Sequence, residues 1–157
     1  MNKSLELLLG SLDKANEIYA ELLEIATKKR ALINDQKMDE LEKLVNHEMG
    51  LVGALYKLED IRGKAVKELV EVHGFKDFKT ISELAVQLPD DERRVLMDKK
   101  NKLLVGIRTV SEETKFNSKL LEDKIALIDL SIQMLTEDDV EAGYGEKERK
   151  SIFDVRI

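Results

Sequence analysis

The chain has 157 residues, with one proline, eight glycines, no cysteine and no tryptophan; charged residues make up 37% of it and hydrophobic residues 43%. A single proline argues against a loop-rich β-sandwich or barrel, and zero cysteine excludes a disulfide scaffold, thiolate metal sites and a cysteine nucleophile. The net charge of −6, with both signs spread along the chain, leaves no electrostatic footprint for nucleic acid or an anionic membrane.

The first segment keeps helical spacing from its start. Leu5, Leu8, Leu12, Ala15, Tyr19, Leu22 and Ala26 follow alternating steps of three and four, a heptad seam. Glu6 and Asp13 interrupt any apolar leader, and no run is long enough to span a membrane, so a cytoplasmic protein is expected. Lys28-Lys29-Arg30 reads as a solvated helix end, favourable at the negative pole of the helix dipole, with a basic partner-binding patch as the sharper alternative. Asn34-Asp35 supplies the break.

The second segment restarts with Asp35 as the expected N-cap. Its seam runs through Leu41, Leu44, Leu51, Leu55, Leu58, Ala65, Leu69 and Val72, with Glu48 and Arg62 filling the missing steps. A charge on a seam either sits at an edge or specifies register. Gly50, Gly53 and Gly63 are read as allowing close helix approach or bending. His73-Gly74 ends the segment, with Gly74 suited to a left-handed C′ position.

Residues 75–89 form a connection with a short helix of its own. Thr80 and Glu83 have capping-box spacing, and Phe75, Phe78, Ile81, Leu84 and Val86 suit a lid over one end of the core. Pro89, followed by Asp90, Asp91 and Glu92, marks the start of the third long helix, with proline in its first turn.

That third helix is expected to run to Leu135, roughly 65–70 Å at 1.5 Å per residue. Its seam is Leu103, Ile107, Val110, Thr114, Asn117, Leu121, Ile125, Ile128, Ile132 and Leu135, with Thr114 and Asn117 as a polar layer that can specify register. From Leu120 to Leu135, ten of sixteen residues are apolar, about twice what one seam needs. Leu120 and Leu127 form a second stripe, with Phe116 one turn earlier. The helix should outrun its shorter neighbours and leave this end uncovered.

The candidate protein-binding residues are therefore Phe116, Leu120, Leu121, Ile125, Leu127, Ile128, Ile132 and Leu135. Some of the seam set could instead line the chain's own core. Residues 137–157 change character: acids and Gly143-Tyr144-Gly145 stop the helix, and Ile152, Phe153, Val155 and Ile157 form an apolar tip. The expected division is a helical bundle over 1–136 and a mobile docking tail over 137–157.

No catalytic or metal motif emerges. His47 lacks a second histidine at position 51, and the pairs Leu44/His47 and Val70/His73 fail the Glu-x-x-His pattern of a di-iron bundle. An enzyme, a metal, a cofactor and a small-molecule substrate are not expected.

Two blocks resemble the FlgN family of bacterial flagellar export chaperones. One is Ala31-Leu32-Ile33-Asn34-Asp35 leading to Leu41-Glu42-Lys43-Leu44 and Glu48; the other is Tyr144-Gly145 followed by Ser151-Ile152-Phe153-Asp154-Val155. The ending departs from the family form at Glu148, where another glycine is expected. The resemblance implies a cytosolic chaperone that grips the C-terminal helical segments of the hook–filament junction proteins FlgK and FlgL and delivers them to the export gate protein FlhA. It implies substrate binding on the C-terminal part of the third long helix and gate docking at Tyr144, with Ile152 and Phe153 beside it in the tail. The whole reading is all-α: an elongated antiparallel bundle of three long helices, a short connecting helix and a C-terminal tail. Self-association into a homo-oligomer stays open. The alternative is a structural coiled-coil protein, or an adaptor of another secretion system.

Overall fold

The computed structural model describes residues 2–136, and the tail residues Tyr144, Ile152 and Phe153 lie outside the described residues. The described chain is all-α, with α1 at Lys3–Asn34, α2 at Met38–Glu71, α3 at Ile81–Val86 and α4 at Asp90–Leu135.

The first long helix is the middle of the fold. Its expected seam is buried at Leu5, Leu8, Leu12, Ala15, Leu22 and Ala26, and it also buries Leu9, Ile25 and Ile33. Two faces are covered because α1 packs against both α2 and α4, while no Cα of α2 comes within 8 Å of one in α4. The α2 side is marked by Ser4, whose Oγ donates to Glu68 Oε2 at 2.8 Å. The α4 side is marked by Asn16, whose Nδ2 donates to the Lys99 carbonyl at 3.3 Å, and by Lys99 Nζ, 2.5 Å from Asp13 Oδ1. These pairings make α2 antiparallel to α1 and α4 parallel to it.

The lid is present. Thr80 Oγ1 accepts from the Glu83 N–H at 3.2 Å, and Glu83 Oε2 accepts from the Lys79 N–H at 2.8 Å, a variant of the capping box. Phe78, Leu84, Ala85 and Leu88 close the bundle end against Leu5, Leu8, Leu69 and Leu96. Arg93 on α4 fastens the lid: its Nε donates to the Ala85 carbonyl at 2.9 Å and its Nη2 to the Leu88 carbonyl at 3.0 Å. Val86, expected inside, faces solvent on the outer side of this single short helix.

Three local expectations change. Asp35 is the C-cap of α1, not the N-cap of α2; Lys37 opens α2 without a side-chain cap. The reason is Gln36, which takes φ +56° while the Lys37 N–H reaches back to the Leu32 carbonyl at 2.9 Å. This is a Schellman ending, and it consumes the residues that a side-chain N-cap would need. Pro89 is the N-cap of α4 and not a residue of its first turn. Gly50, Gly53 and Gly63 lie in an unbroken α2, and a Cβ at any of them would meet nothing within 4 Å, so they serve no close helix approach. Gly74 does take the left-handed conformation, at φ +73°, where α2 ends.

Gln36 is exposed and left-handed without being glycine, which is unfavourable for an L side chain. Gln36→Gly should therefore stabilise the fold by about 0.5–1 kcal/mol, after the entropy that glycine adds to the unfolded chain. Urea unfolding checks it; an unchanged or lowered midpoint would show that the turn is unstrained.

Candidate functional site

The far end of the bundle is built around a small polar layer. Lys29 of α1 is 5% exposed, and its Nζ lies 3.2 Å from each Glu48 carboxylate oxygen on α2. Arg30 turns to α4 instead. It pairs with Glu113, its Nε donates to Asn117 Oδ1 at 3.4 Å, and its guanidinium lies 4.4 Å from the centre of the Phe116 ring. Asn117 is buried and donates through Nδ2 to the Ala26 carbonyl at 2.8 Å. Lys29 and Arg30 are thus interhelical ties, and of the basic triplet Lys28 alone is exposed. Of the two expected polar seam residues, Asn117 is inside and Thr114 is exposed.

Beyond this layer the core is thin. Ile33, Leu41, Leu121 and Ile125 form a separate buried group, with Leu32 and Leu120 packed on it. Then α1 has ended at Asn34 and α2 has not begun before Met38, but α4 continues to Leu135. Ten residues past Ile125 at 1.5 Å each project about 15 Å past the last buried side chain of α4.

The structure distributes the eight candidate residues along this transition. Leu121 and Ile125 are buried in the bundle, Leu120 is half-buried beside them, and Ile128 and Ile132 are half-buried further out. Phe116, Leu127 and Leu135 are exposed, at 54%, 57% and 85%. Leu130 and Met134 are also exposed on the projecting part. They follow Leu127 at steps of three and four, so the second stripe extends through residues absent from the candidate set. The ten-in-sixteen apolar count already contained that signal.

A second apolar surface had no place in the sequence reading. Because α2 and α4 stand apart, a furrow of about 270 Å³ opens between them with α1 as its floor. Leu12, Ala15 and Tyr19 form the floor, Val52 and Leu55 one wall, and Leu103 and Ile107 the other. At this level α4 lies close to α1: a Cβ at Gly106 would be 3.4 Å from the Tyr19 Cβ, in ordinary contact. Leu55, Leu103 and Ile107 are seam residues that remain partly exposed because their helices have no partner across the furrow.

Lys119 is raised above its ordinary pKa by the hydrogen bond it donates to Asp123 one turn on and by that carboxylate's charge, an exposed pair on α4. Among the described residues no group of three or more acids and histidines could hold a metal ion, and no helix is long and apolar enough to cross a membrane. What the site can do is bury another protein's apolar surface.

Comparison with curated proteins and with solved structures returned no match. The family profile described as FlgN protein matches residues 1–151, nearly the whole chain. With an all-α bundle whose longest helix ends in uncovered apolar residues, the chain belongs to the FlgN family of flagellar export chaperones, which is not a family of enzymes.

Proposed function

We propose that this protein captures the C-terminal helical segments of the hook–filament junction proteins FlgK and FlgL in the cytoplasm and delivers them to the cytosolic domain of the export gate protein FlhA. The supporting observation is the projecting end of α4, apolar on more than one face and covered by no other helix of the described chain. A helix with that composition gains about 1.5–3 kcal/mol for each large apolar side chain that a partner buries. Leu127, Ile128, Ile132 and Leu135 offer the contact, with Phe116 and Leu120 at its inner edge; Leu121 and Ile125 hold the helix from beneath.

The work is done by mass action, without covalent chemistry. Capture shields the substrate's apolar segment from self-association, and competition at the gate releases it. Residues 1–136 carry the capture function. Residues 137–157 act as the docking tail, with Tyr144, Ile152 and Phe153 meeting the gate.

Purified FlgK and FlgL should each form a soluble complex with the chain on size-exclusion chromatography. Tyr144→Ala should leave that complex intact and weaken binding to the FlhA cytosolic domain. Loss of junction-protein binding in Tyr144→Ala would overturn this division of roles. A stable dimer of the chain alone, with the α4 ends paired, would favour the structural coiled-coil reading; sedimentation over a concentration series tests it.

A further inference from the structure

We infer that Arg30 is a positioning residue of the capture surface: it holds the Phe116 ring in place as the inner anchor for the substrate's helix. The inference rests on the proposed capture function and adds to it a side chain of α1.

Phe116 stands apart from the other aromatic residues. Of the three phenylalanines in the described chain, Phe75 and Phe78 pack into the lid core, whereas Phe116 is more than half exposed. Its place on α4 gives the reason. Phe116, Leu120, Leu127, Leu130 and Met134 follow one heptad line, with Asp123 in the remaining position. None of these residues is buried by the chain itself. The next two positions inward on the same line are Glu113 and Thr109, so the apolar line ends at Phe116. From Phe116 to Met134 it covers about 27 Å, or about five turns. Phe116 is therefore the last side chain at the bundle end on which a partner helix can anchor.

An exposed phenylalanine turns about both of its side-chain bonds, and fixing it on binding costs affinity. Arg30 removes this freedom beforehand. Its guanidinium lies over the ring, 4.4 Å from the centre, in a cation–π contact. The guanidinium is itself held on two sides. It pairs with Glu113, one turn before Phe116, and its Nε donates to Asn117 Oδ1. Asn117 is held in turn, since it is buried and donates to the Ala26 carbonyl at 2.8 Å. The order of the anchor thus traces back to the backbone of α1.

The side chain at position 30 has to be arginine for this. A guanidinium can cover a ring while its nitrogens donate sideways to two acceptors; an ammonium is a point charge and cannot do all three. A tie between α1 and α4 alone would need only the pair with Glu113, which a lysine also makes.

Titration calorimetry of the full chain with the C-terminal segment of a junction protein tests the inference, run well below the melting midpoint of every form. Phe116→Ala should weaken binding about tenfold or more. Arg30→Lys should weaken it about threefold to tenfold, because the ring must then be ordered at the moment of binding. The double variant should bind like Phe116→Ala alone, since Arg30 acts through the ring. Parental affinity in Arg30→Lys would reduce Arg30 to a tie with Glu113 and overturn the inference. An equal loss from Arg30→Lys with and without Phe116 would overturn it as well. So would parental affinity in Phe116→Ala: the capture function then stands if Leu127→Asp combined with Leu130→Asp still weakens binding, and falls too if that variant binds like the parent.

Discussion

Leu127→Asp combined with Leu130→Asp should lower affinity for the export substrate at least about a hundredfold while the bundle melts nearly as before. Both side chains are more than half exposed on the projecting part of α4, so neither supports the chaperone's own core. In a complex each would be buried by the partner, at about 1.5–3 kcal/mol per side chain. Losing two such contacts costs at least about 3 kcal/mol, more than two decades of affinity. Folding should hardly respond, since substitutions at exposed sites change stability by about 0.5 kcal/mol. The melting midpoint should move by less than about 3 °C. Titration calorimetry with a junction protein and a thermal melt of the free chaperone read the two sides. Undiminished binding would remove the projecting end from the capture surface; a collapsed melt would make it part of the fold.

Glu48→Ala carries the largest expected cost to stability. It strands the Lys29 ammonium, nearly fully buried between helices, without its only carboxylate partner at salt-bridge distance among the described residues. Removing one partner of a buried pair costs about 3–5 kcal/mol, because the remaining charge has no compensation. Glu48 keeps some solvent contact, so the low end of about 3 kcal/mol is expected. For a domain of this size that is a fall of about 6–12 °C in melting midpoint. Lys29→Met combined with Glu48→Leu should recover most of it, because replacing both charges with apolar groups leaves neither unpaired. A Glu48→Ala melt within two degrees of the parent would show that the layer is hydrated and structurally idle.

The two residues of this pair show how far the sequence could be read. Glu48 stood on the α2 seam as a lone acid, so a register role was one of its two readings. Lys29 stood in a basic triplet near a helix end, where a solvated lysine is ordinary. Nothing in the spacing said that they were opposite each other, because that depends on how tightly α1 turns into α2. Gln36 in its left-handed conformation sets that turn, and a glutamine gives no such signal.

Asp35 misled for the same reason. Its type favours an N-cap, but the Schellman ending of α1 makes it that helix's C-cap, two residues before the N-cap of α2. Pro89 and the Thr80–Glu83 box were more legible. Their effects are local: one lacks an N–H and has a fixed φ, and the other closes hydrogen bonds within four residues.

The sequence by itself determined an all-α chain, three long helices of nearly the observed lengths, a lid at one end and an apolar end on the longest helix. Periodicity, caps and composition act within a few turns of one helix, and that information is complete in the chain. Only the tertiary structure decided that α1 is central and that the backbones of α2 and α4 stay apart, their side chains meeting only in the two end cores. A heptad seam says that a face is buried without saying by which helix, and α1 carries enough apolar residues to be covered twice. From that one arrangement come both surfaces: the furrow, where two seams lack a partner, and the projecting end of α4, where the partners have run out.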